Sequence, residues 1–201
     1  MVTNVLLCGV GGQGIITASK ILSEAALMSG YAVKKSEVHG MSQRGGNVES
    51  HVRFSADSPV HAPTIPMGEA SMLLAFETLE ALRAIPQMSP EALVLVDRRR
   101  IVPMSVNTGL AQYPDDVMEQ LEASGRHVLV VPAFAIATDL GEYRAANVVM
   151  LGAASRHLGI APEVWQEAIK HSVRPRAVES SLKAFEAGLA ALAGGVGNGG
   201  R

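Results

Sequence analysis

Glycines near the amino terminus have the spacing of a phosphate-binding turn. Residues 9–14 read Gly-Val-Gly-Gly-Gln-Gly, which satisfies the pattern GxGxxG. Glycines permit a tight turn, and the free N–H groups of a following helix can bind phosphate oxygens. The side-chain amide at position 13 favours contact with a ligand or partner, because packing alone requires no amide there. We predict a diphosphate site formed by Gly9, Gly11, Gly12, Gln13 and Gly14.

A second glycine-rich segment, residues 39–47, carries the polar groups of an anion site. It reads HGMSQRGGN and places Ser42, Gln43 and Arg44 between glycines. A guanidinium beside an amide and a hydroxyl suits either an anion or the backbone of another protein. Loops after the carboxyl ends of parallel strands share one sheet edge, so this segment is expected near the first glycine loop.

Two other hypotheses for the glycine loop stay open. Glu37 stands near the end of the predicted second strand, where dinucleotide-binding folds hold a ribose hydroxyl. The chain would then be a self-contained oxidoreductase that binds NAD or FAD. Alternatively, the glycines only allow close packing of a strand and a helix. A chain whose loops serve an interface and contact no cofactor would then be a purely structural subunit.

The residue inventory excludes several other chemistries. Cys8 is the only cysteine, which excludes an internal disulfide, a CxxC redox pair and an iron–sulfur cluster held by this chain alone. The six histidines form no HxH or HxxxH pair, so we predict no metal site. No serine lies in a GxSxG motif, and a hydrolase therefore has no support.

The first glycine loop is predicted to lie between a strand and a helix. Residues 4–8 form a short apolar run, and residues 15–29 place apolar side chains at helical spacing. Residues 31–37 return to an extended pattern, so a Rossmann-like βαβ unit with parallel strands opens the chain. Residues 48–54 alternate, which predicts a strand whose polar side, with His51 and Arg53, faces solvent.

Strands and helices alternate through the rest of the chain. Strands are predicted at 70–76, 92–96 and 128–131, and helices at 77–85, 115–124, 133–140, 145–158, 162–171 and 177–192. This order predicts a three-layer α/β fold with a largely parallel sheet and a helical C-terminal part. We expect one domain over residues 1–193 and a disordered tail over residues 194–201.

Size indicates a single domain, and the lack of a leader pattern or a membrane-spanning run in the sequence predicts a cytoplasmic protein. The chain has 201 residues and a formal net charge of −2, so it has no general attraction for nucleic acid or an anionic membrane. The longest nearly apolar run, residues 128–137, is far shorter than the roughly 20 residues that span a bilayer. The amino terminus has no basic leader.

The two glycine-rich segments together resemble those of a known family. GVGGQGI near the start and SEVHGMSQRGGNVESHVRFS after it are similar to the gamma-type domain of the 2-oxoacid:ferredoxin oxidoreductases. Within that family they look most like the beta-subunit group of the indolepyruvate:ferredoxin oxidoreductases. The resemblance continues through residues 68–70, 76–77, 80–81, 144–152 and 182–188, nearly to the end of the chain.

The resemblance implies an accessory subunit of a complex that decarboxylates an arylpyruvate oxidatively and forms an acyl-coenzyme A. Thiamine diphosphate, magnesium and iron–sulfur clusters would lie on a larger alpha subunit, with ferredoxin as an indirect partner. The absence of a GDG motif from this chain agrees with that division.

The resemblance also assigns roles to the two glycine-rich segments. The chain would dock on the alpha subunit in a hetero-oligomer, and the glycine loop would hold the diphosphate of coenzyme A. Pyruvate-type relatives carry different residues around the second segment. Two alternative roles therefore stay open for Ser42, Gln43 and Arg44, namely coenzyme A binding and subunit docking.

Overall fold

The described residues build a six-stranded mixed sheet. The computed structural model describes residues 1–39 and 46–192. The order of the strands across the sheet is β2-β3-β1-β4-β5-β6. Strands β1, β4, β5 and β6 pair in parallel, whereas β3 runs antiparallel to both of its neighbours. In chain order the strands are β1 (Thr3–Val10), β2 (Ala32–His39), β3 (Asn47–Ser55), β4 (Ala70–Ala75), β5 (Met88–Val96) and β6 (His127–Val130).

Helices cover both faces of the sheet. They are α1 (Ile15–Met28), α2 (Thr78–Ala84), α3 (Met104–Asn107), α4 (Val117–Ala123), α5 (Ala133–Asp139), α6 (Ala146–Ser155), α7 (Pro162–Ser172) and α8 (Val178–Ala191). Helices α1 and α5 to α8 pack on one face around the fully buried Trp165 and Phe185. Helices α2 and α4 pack on the other face around Leu121. The predicted three-layer α/β fold with a helical C-terminal part is confirmed.

Strand β1 lies inside the sheet and is buried on both faces. Val5 and Leu7 belong to the core under α1, while Leu6 and Cys8 belong to the core under α2. An apolar run without alternation is typical of such a central strand. Cys8 is 1% exposed, and burial raises the pKa of its thiol well above the usual range. The cysteine therefore packs as a small apolar residue, as its position in the first strand predicts.

The opening βαβ unit is split by β3, a detail that the sequence pattern did not predict. Strands β1 and β2 run in the same direction, since both are antiparallel to β3. They are not neighbours, however, because β3 pairs with both of them. An antiparallel neighbour needs only a short connection, so the chain can turn back after β2 without a crossover helix. The apolar side of β3, with Val52 and Phe54, then packs in the core beneath α1.

The polar side of β3 does not face solvent, which corrects the prediction made from its alternation. His51 is 6% exposed, and its Nδ1 accepts a hydrogen bond from the Ile65 N–H at 3.2 Å. Arg53 donates to the carbonyl oxygens of Ala62 and Thr64, each at 3.0 Å. The proline-rich stretch after β3 therefore covers this side. Period-two alternation reports which side chains share a face, but it does not report what covers that face.

Two glycines bring α6 and α8 into close contact. A Cβ at Gly152 would overlap the Phe185 carbonyl oxygen, and one at Gly188 would overlap the Val149 carbonyl oxygen. Both clashes would involve backbone atoms, which a rotamer change cannot relieve. Close packing of these helices therefore depends on the absence of a Cβ at Gly152 and Gly188.

Two expectations from the sequence concern the C-terminal tail and membrane-spanning segments. The tail expected to be disordered, residues 194–201, lies outside the described residues, so that expectation and the domain boundary at residue 193 stay predictions. Across residues 1–39 and 46–192, no helix is long and apolar enough to cross a bilayer.

Candidate functional site

The first glycine loop joins the carboxyl end of β1 to the start of α1. Gly12 and Gly14 have φ values of 98° and 78°, a region in which a side chain is strained. At Gly9 the reason for glycine is a close approach, since a Cβ there would lie 2.6 Å from Gln13 Oε1. The turn itself therefore requires glycine at three of its positions.

Gln13 connects the loop to the neighbouring strand through its side chain. Its Oε1 accepts a hydrogen bond from the Val10 N–H at 2.7 Å, and its Nε2 donates to the Phe76 carbonyl at 2.5 Å. Phe76 directly follows β4, so the amide bridges the ends of two adjacent parallel strands. The assumption that packing requires no amide here is wrong. A ligand contact of Gln13 stays a prediction.

The start of α1 leaves backbone N–H groups without an intrahelical partner. The first intrahelical bond runs from the Ala18 N–H to the Gly14 carbonyl at 2.9 Å. The N–H groups of Ile15, Ile16 and Thr17 precede it. The first turn of α1 contains no acidic residue. Because aligned peptide dipoles make a helix amino terminus electropositive, this end of α1 favours an anionic ligand.

Helix α6 fixes the glycine loop from the helical layer. Asn147 is 4% exposed, and its Nδ2 donates to the Gly14 carbonyl at 3.0 Å. A Cβ on Gly14 would lie 2.7 Å from that same nitrogen. The loop is therefore positioned by α6 as well as by the end of β4.

A cleft of about 730 Å³ opens beside the glycine loop. Gly12, Gly14 and Thr17 form part of its wall. Its three arginines come from the turn before α6 and from the junction of α7 and α8; they are Arg144, Arg174 and Arg176. Within the described ranges none of these arginines takes part in a salt bridge. The lining also holds one carboxylate, that of Glu142, so positive charge predominates.

A smaller cleft of about 180 Å³ adjoins the same loop and shares Gly12, Tyr143 and Arg144 with the large cleft. It is lined in addition by Asp97 and Arg99, which follow β5 at the same sheet edge. Asp97 is 5% exposed and accepts a hydrogen bond from the Phe134 N–H at 2.9 Å. Burial raises the pKa of this carboxyl group above its usual value. The Arg99 guanidinium lies 4.0 Å from the centre of the Phe134 ring.

A buried carboxylate holds the segment that carries Arg99. Glu77 is 1% exposed, and its Oε2 accepts a hydrogen bond from the Glu80 N–H at 2.9 Å, which caps α2. Its Oε1 accepts from the Ile101 N–H at 3.2 Å and from the Tyr113 hydroxyl at 2.6 Å. Burial and the hydrogen bond to Glu77 raise the pKa of Tyr113 to about 12. Glu77 therefore joins the end of β4 to the loops that follow β5.

The second glycine-rich segment meets the first at one observed hydrogen bond. Ser42, Gln43 and Arg44 lie outside the described residues, so their predicted roles stay predictions. The described residue that follows them, Gly46, accepts a hydrogen bond from the Gly11 N–H at 3.1 Å. The expectation that both segments share one sheet edge is confirmed at this point.

Glu37 does not reach the first glycine loop. It lies on β2, and β3 stands between β2 and β1. Its carboxylate oxygen is 2.7 Å from Lys35 Nζ on the same strand. A ribose-binding acid belongs to a second strand that neighbours the first. The NAD or FAD hypothesis therefore loses the residue on which it rested.

Comparison with known protein families identifies the family to which this chain belongs. The sequence profile described as pyruvate ferredoxin/flavodoxin oxidoreductase matches residues 4–191. The chain belongs to this family. The resemblance drawn from the two glycine-rich segments is confirmed.

Several curated proteins match this chain along nearly their full length. The indolepyruvate oxidoreductase subunit IorB of Thermococcus kodakarensis is 41% identical over 193 residues, 94% of this chain and 95% of that protein. IorB of Archaeoglobus fulgidus is 40% identical over 191 residues, 92% of each chain. The gamma subunit common to the pyruvate and ketoisovalerate oxidoreductases of Pyrococcus furiosus is 26% identical, over 88% of this chain and 89% of that protein.

Solved structures of two ferredoxin oxidoreductase chains have the same fold as this chain. The gamma subunit of a keto/oxoacid ferredoxin oxidoreductase from Geobacter sulfurreducens has a TM-score of 0.71 at 26% identity, over 95% of this chain and 99% of that chain. A 2-oxoglutarate:ferredoxin oxidoreductase from Magnetococcus marinus, solved with 2-oxoglutarate, coenzyme A and succinyl-CoA, has a TM-score of 0.74 at 20% identity. The match covers 96% of this chain but 31% of that one. The fold thus occurs both as a separate small chain and inside a longer one.

Sequence reasoning missed most of the cleft residues in this family member. Gly12 and Gly14 line the large cleft, and Gly11, Gly12 and Gln13 line the small one, whereas Gly9 is not among the residues of either lining. The arginines were not singled out. For two of them a signal was available in the sequence Arg-Pro-Arg at positions 174–176, because proline restricts the backbone between the two cations.

Proposed function

We propose that this chain is the small subunit of an indolepyruvate oxidoreductase. The observation that carries the proposal is 40–41% identity to four archaeal IorB subunits over at least 92% of both sequences. In the reaction that the resemblance implies, an arylpyruvate loses CO₂ and its acyl carbon forms a thioester with coenzyme A, whose thiol releases a proton. The two electrons pass singly to ferredoxin. We place this complex in the cytoplasm.

The chemistry of bond breaking and electron transfer is assigned to the larger subunit. An iron–sulfur cluster needs several thiolates, and this chain has only Cys8, which is buried. Across residues 1–39 and 46–192, no three His, Cys, Asp or Glu side chains are grouped to hold a metal ion. Thiamine diphosphate, magnesium and the clusters are therefore proposed to lie on an alpha partner. This chain contributes binding and orientation.

The role proposed for this chain is to hold the diphosphate of coenzyme A at the glycine loop. Support comes from the N–H groups at the start of α1, from the absence of an acid in its first turn, and from the arginines of the large cleft. A volume of about 730 Å³ lies within the usual range of ligand pockets. Ser42, Gln43 and Arg44 are proposed to contact either the same ligand or the alpha partner.

Reconstitution tests the subunit assignment. The chain is co-expressed with its alpha partner, and coenzyme A-dependent oxidation of an arylpyruvate is followed by ferredoxin reduction. We expect activity only when both chains are present. Full activity of the alpha partner alone would contradict the assignment.

A substitution in the glycine loop tests the coenzyme A role. A Cβ at Gly12 meets no atom within 4 Å, so the side chain of Gly12→Asn would enter the open cleft. The φ of 98° strains any side chain at this position, and asparagine is chosen because it tolerates positive φ better than most residues. We expect the KM for coenzyme A to rise while kcat changes little, because ground-state binding is lost. The matched control is Gly125→Asn, since Gly125 also has positive φ, at 76°, and precedes β6 at the opposite sheet edge. Unchanged coenzyme A kinetics in an assembled Gly12→Asn complex would favour a purely structural subunit.

A further inference from the structure

The junction of α7 and α8 carries two arginines on a constrained turn. Arg174 and Arg176 flank Pro175 in a short 3₁₀ turn, Pro175–Ala177, that leads into α8. The Ala177 N–H donates to the Arg174 carbonyl at 2.8 Å, and proline fixes its own φ. The backbone of this turn is therefore defined before any ligand binds.

The arginine pair has no ion-pair partner in the part of the chain that the structure describes. Neither Arg174 nor Arg176 takes part in a salt bridge among residues 1–39 and 46–192. The carboxylate of Glu142 in the same cleft accepts a hydrogen bond from the Arg144 N–H at 3.3 Å. Guanidinium groups are well suited to a phosphate, because they donate several hydrogen bonds in a fixed planar arrangement.

Electropositive groups lie at two separate parts of the wall of the same cleft. One part is the amino end of α1 with Gly12 and Gly14, and the other is the arginine pair more than 150 residues later. A diphosphate alone occupies only a fraction of about 730 Å³. Coenzyme A has two separated anionic groups, the 5′-diphosphate and the phosphate on the ribose 3′-oxygen. Its charge pattern therefore matches that of the cleft.

We propose that Arg174 and Arg176 bind the 3′-phosphate of coenzyme A while the glycine loop holds the diphosphate. This inference rests on the proposed function, because it requires coenzyme A at the glycine loop. NAD, FAD and dephospho-coenzyme A lack the 3′-phosphate. The two side chains thus make this subunit the part of the complex that distinguishes coenzyme A from those ligands.

Binding measurements on the assembled complex test the inference without turnover. Isothermal titration calorimetry with no 2-oxoacid present gives Kd values for coenzyme A and dephospho-coenzyme A. In the double variant Arg174→Gln/Arg176→Gln we expect the Kd of coenzyme A to rise about ten- to a hundredfold, the effect of losing charged hydrogen bonds. The Kd of dephospho-coenzyme A is expected to change less than about twofold, since it makes none of these bonds. Arg98→Gln is the control, because this exposed arginine lines a different cleft.

The outcomes separate this inference from the function on which it rests. An equal rise in both Kd values, or no rise in either, in the double variant overturns the 3′-phosphate assignment. Gly12→Asn is expected to weaken both ligands, and no effect on either would overturn the coenzyme A role itself. Co-purification with the alpha partner reports assembly of each variant. If the double variant does not assemble, Arg174→Lys and Arg176→Lys are measured instead, because lysine keeps the charge but loses the bidentate geometry. Each of these variants must still reduce the ratio of the Kd of dephospho-coenzyme A to the Kd of coenzyme A.

Discussion

Asn147 Nδ2 donates a hydrogen bond to the Gly14 carbonyl at 3.0 Å, across 133 residues of sequence. Gly14 is the residue before α1, and Asn147 lies in the first turn of α6. The bond therefore ties the proposed diphosphate site to the helical layer. The same layer supplies Arg144, so movement of α6 would displace both the loop and one of its cations.

Replacing Asn147 by Asp is expected to destabilise the fold by about 3 kcal/mol at pH 8, because a desolvated carboxylate would face the Gly14 carbonyl. The loss should be smaller at pH 4, where a protonated Asp can donate the hydrogen bond. Urea denaturation at both pH values measures the difference. Asn107→Asp, at an exposed position, is the control. Equal stability of the Asn147→Asp and control variants at pH 8 would show that the bond to Gly14 contributes nothing.

Gln13→Glu is expected to lower the free energy of unfolding by about 1–3 kcal/mol in the absence of any ligand. The variant keeps an acceptor for the Val10 N–H but loses the Nε2 donor that contacts the Phe76 carbonyl. Chemical denaturation of the purified chain provides the measurement, with exposed Gln112→Glu as the charge-matched control. A Gln13→Glu chain as stable as the wild type would indicate that Gln13 serves a ligand rather than the loop.

Gly152→Ala and Gly188→Ala are each expected to destabilise the chain by at least about 2 kcal/mol. Glycine to alanine inside a helix ordinarily stabilises by about 1 kcal/mol, so the expected sign is reversed. The reason is overlap of the new Cβ with a backbone carbonyl of the facing helix. Thermal unfolding measures the effect. Ala190→Gly, on the exposed side of α8, serves as the control and should show the ordinary propensity loss. Stabilisation by either Gly-to-Ala change would contradict the close packing of α6 and α8.

The phenol of Tyr113 is expected to titrate with a pKa of about 12, against an unfolded value of about 10. Its stabilising effect is complete below pH 10 and is lost as the pH rises from about 10 to about 12, because the unfolded chain releases this proton first. The loss is expected to be about 1–2 kcal/mol, because solvent near the hydroxyl screens part of the interaction. The difference in absorbance at alkaline pH between wild type and Tyr113→Phe gives the titration of this residue alone. A midpoint near 10 would refute the buried hydrogen bond to Glu77.

Several features of the fold and site are readable from local sequence because local physics determines them. The pattern GxGxxG between an apolar run and a helical pattern marks the turn, and Gly12 and Gly14 adopt the positive φ that a side chain disfavours. The apolar run at β1 predicts a strand buried on both faces. The single cysteine limits the redox chemistry of the chain without any structure. These features depend on residues within one element.

Only the tertiary structure decided what lies next to that turn. The insertion of β3 between β1 and β2 separates Glu37 from the glycine loop, and the two strands' own patterns do not specify which neighbour each will pair with. The arginines at 144, 174 and 176 meet Gly12 in one cleft because α6 and α7 pack against α1 and α8 packs against α6. Such convergence is set by long-range packing of whole helices, whereas sequence periodicity reports only which side of each helix is buried.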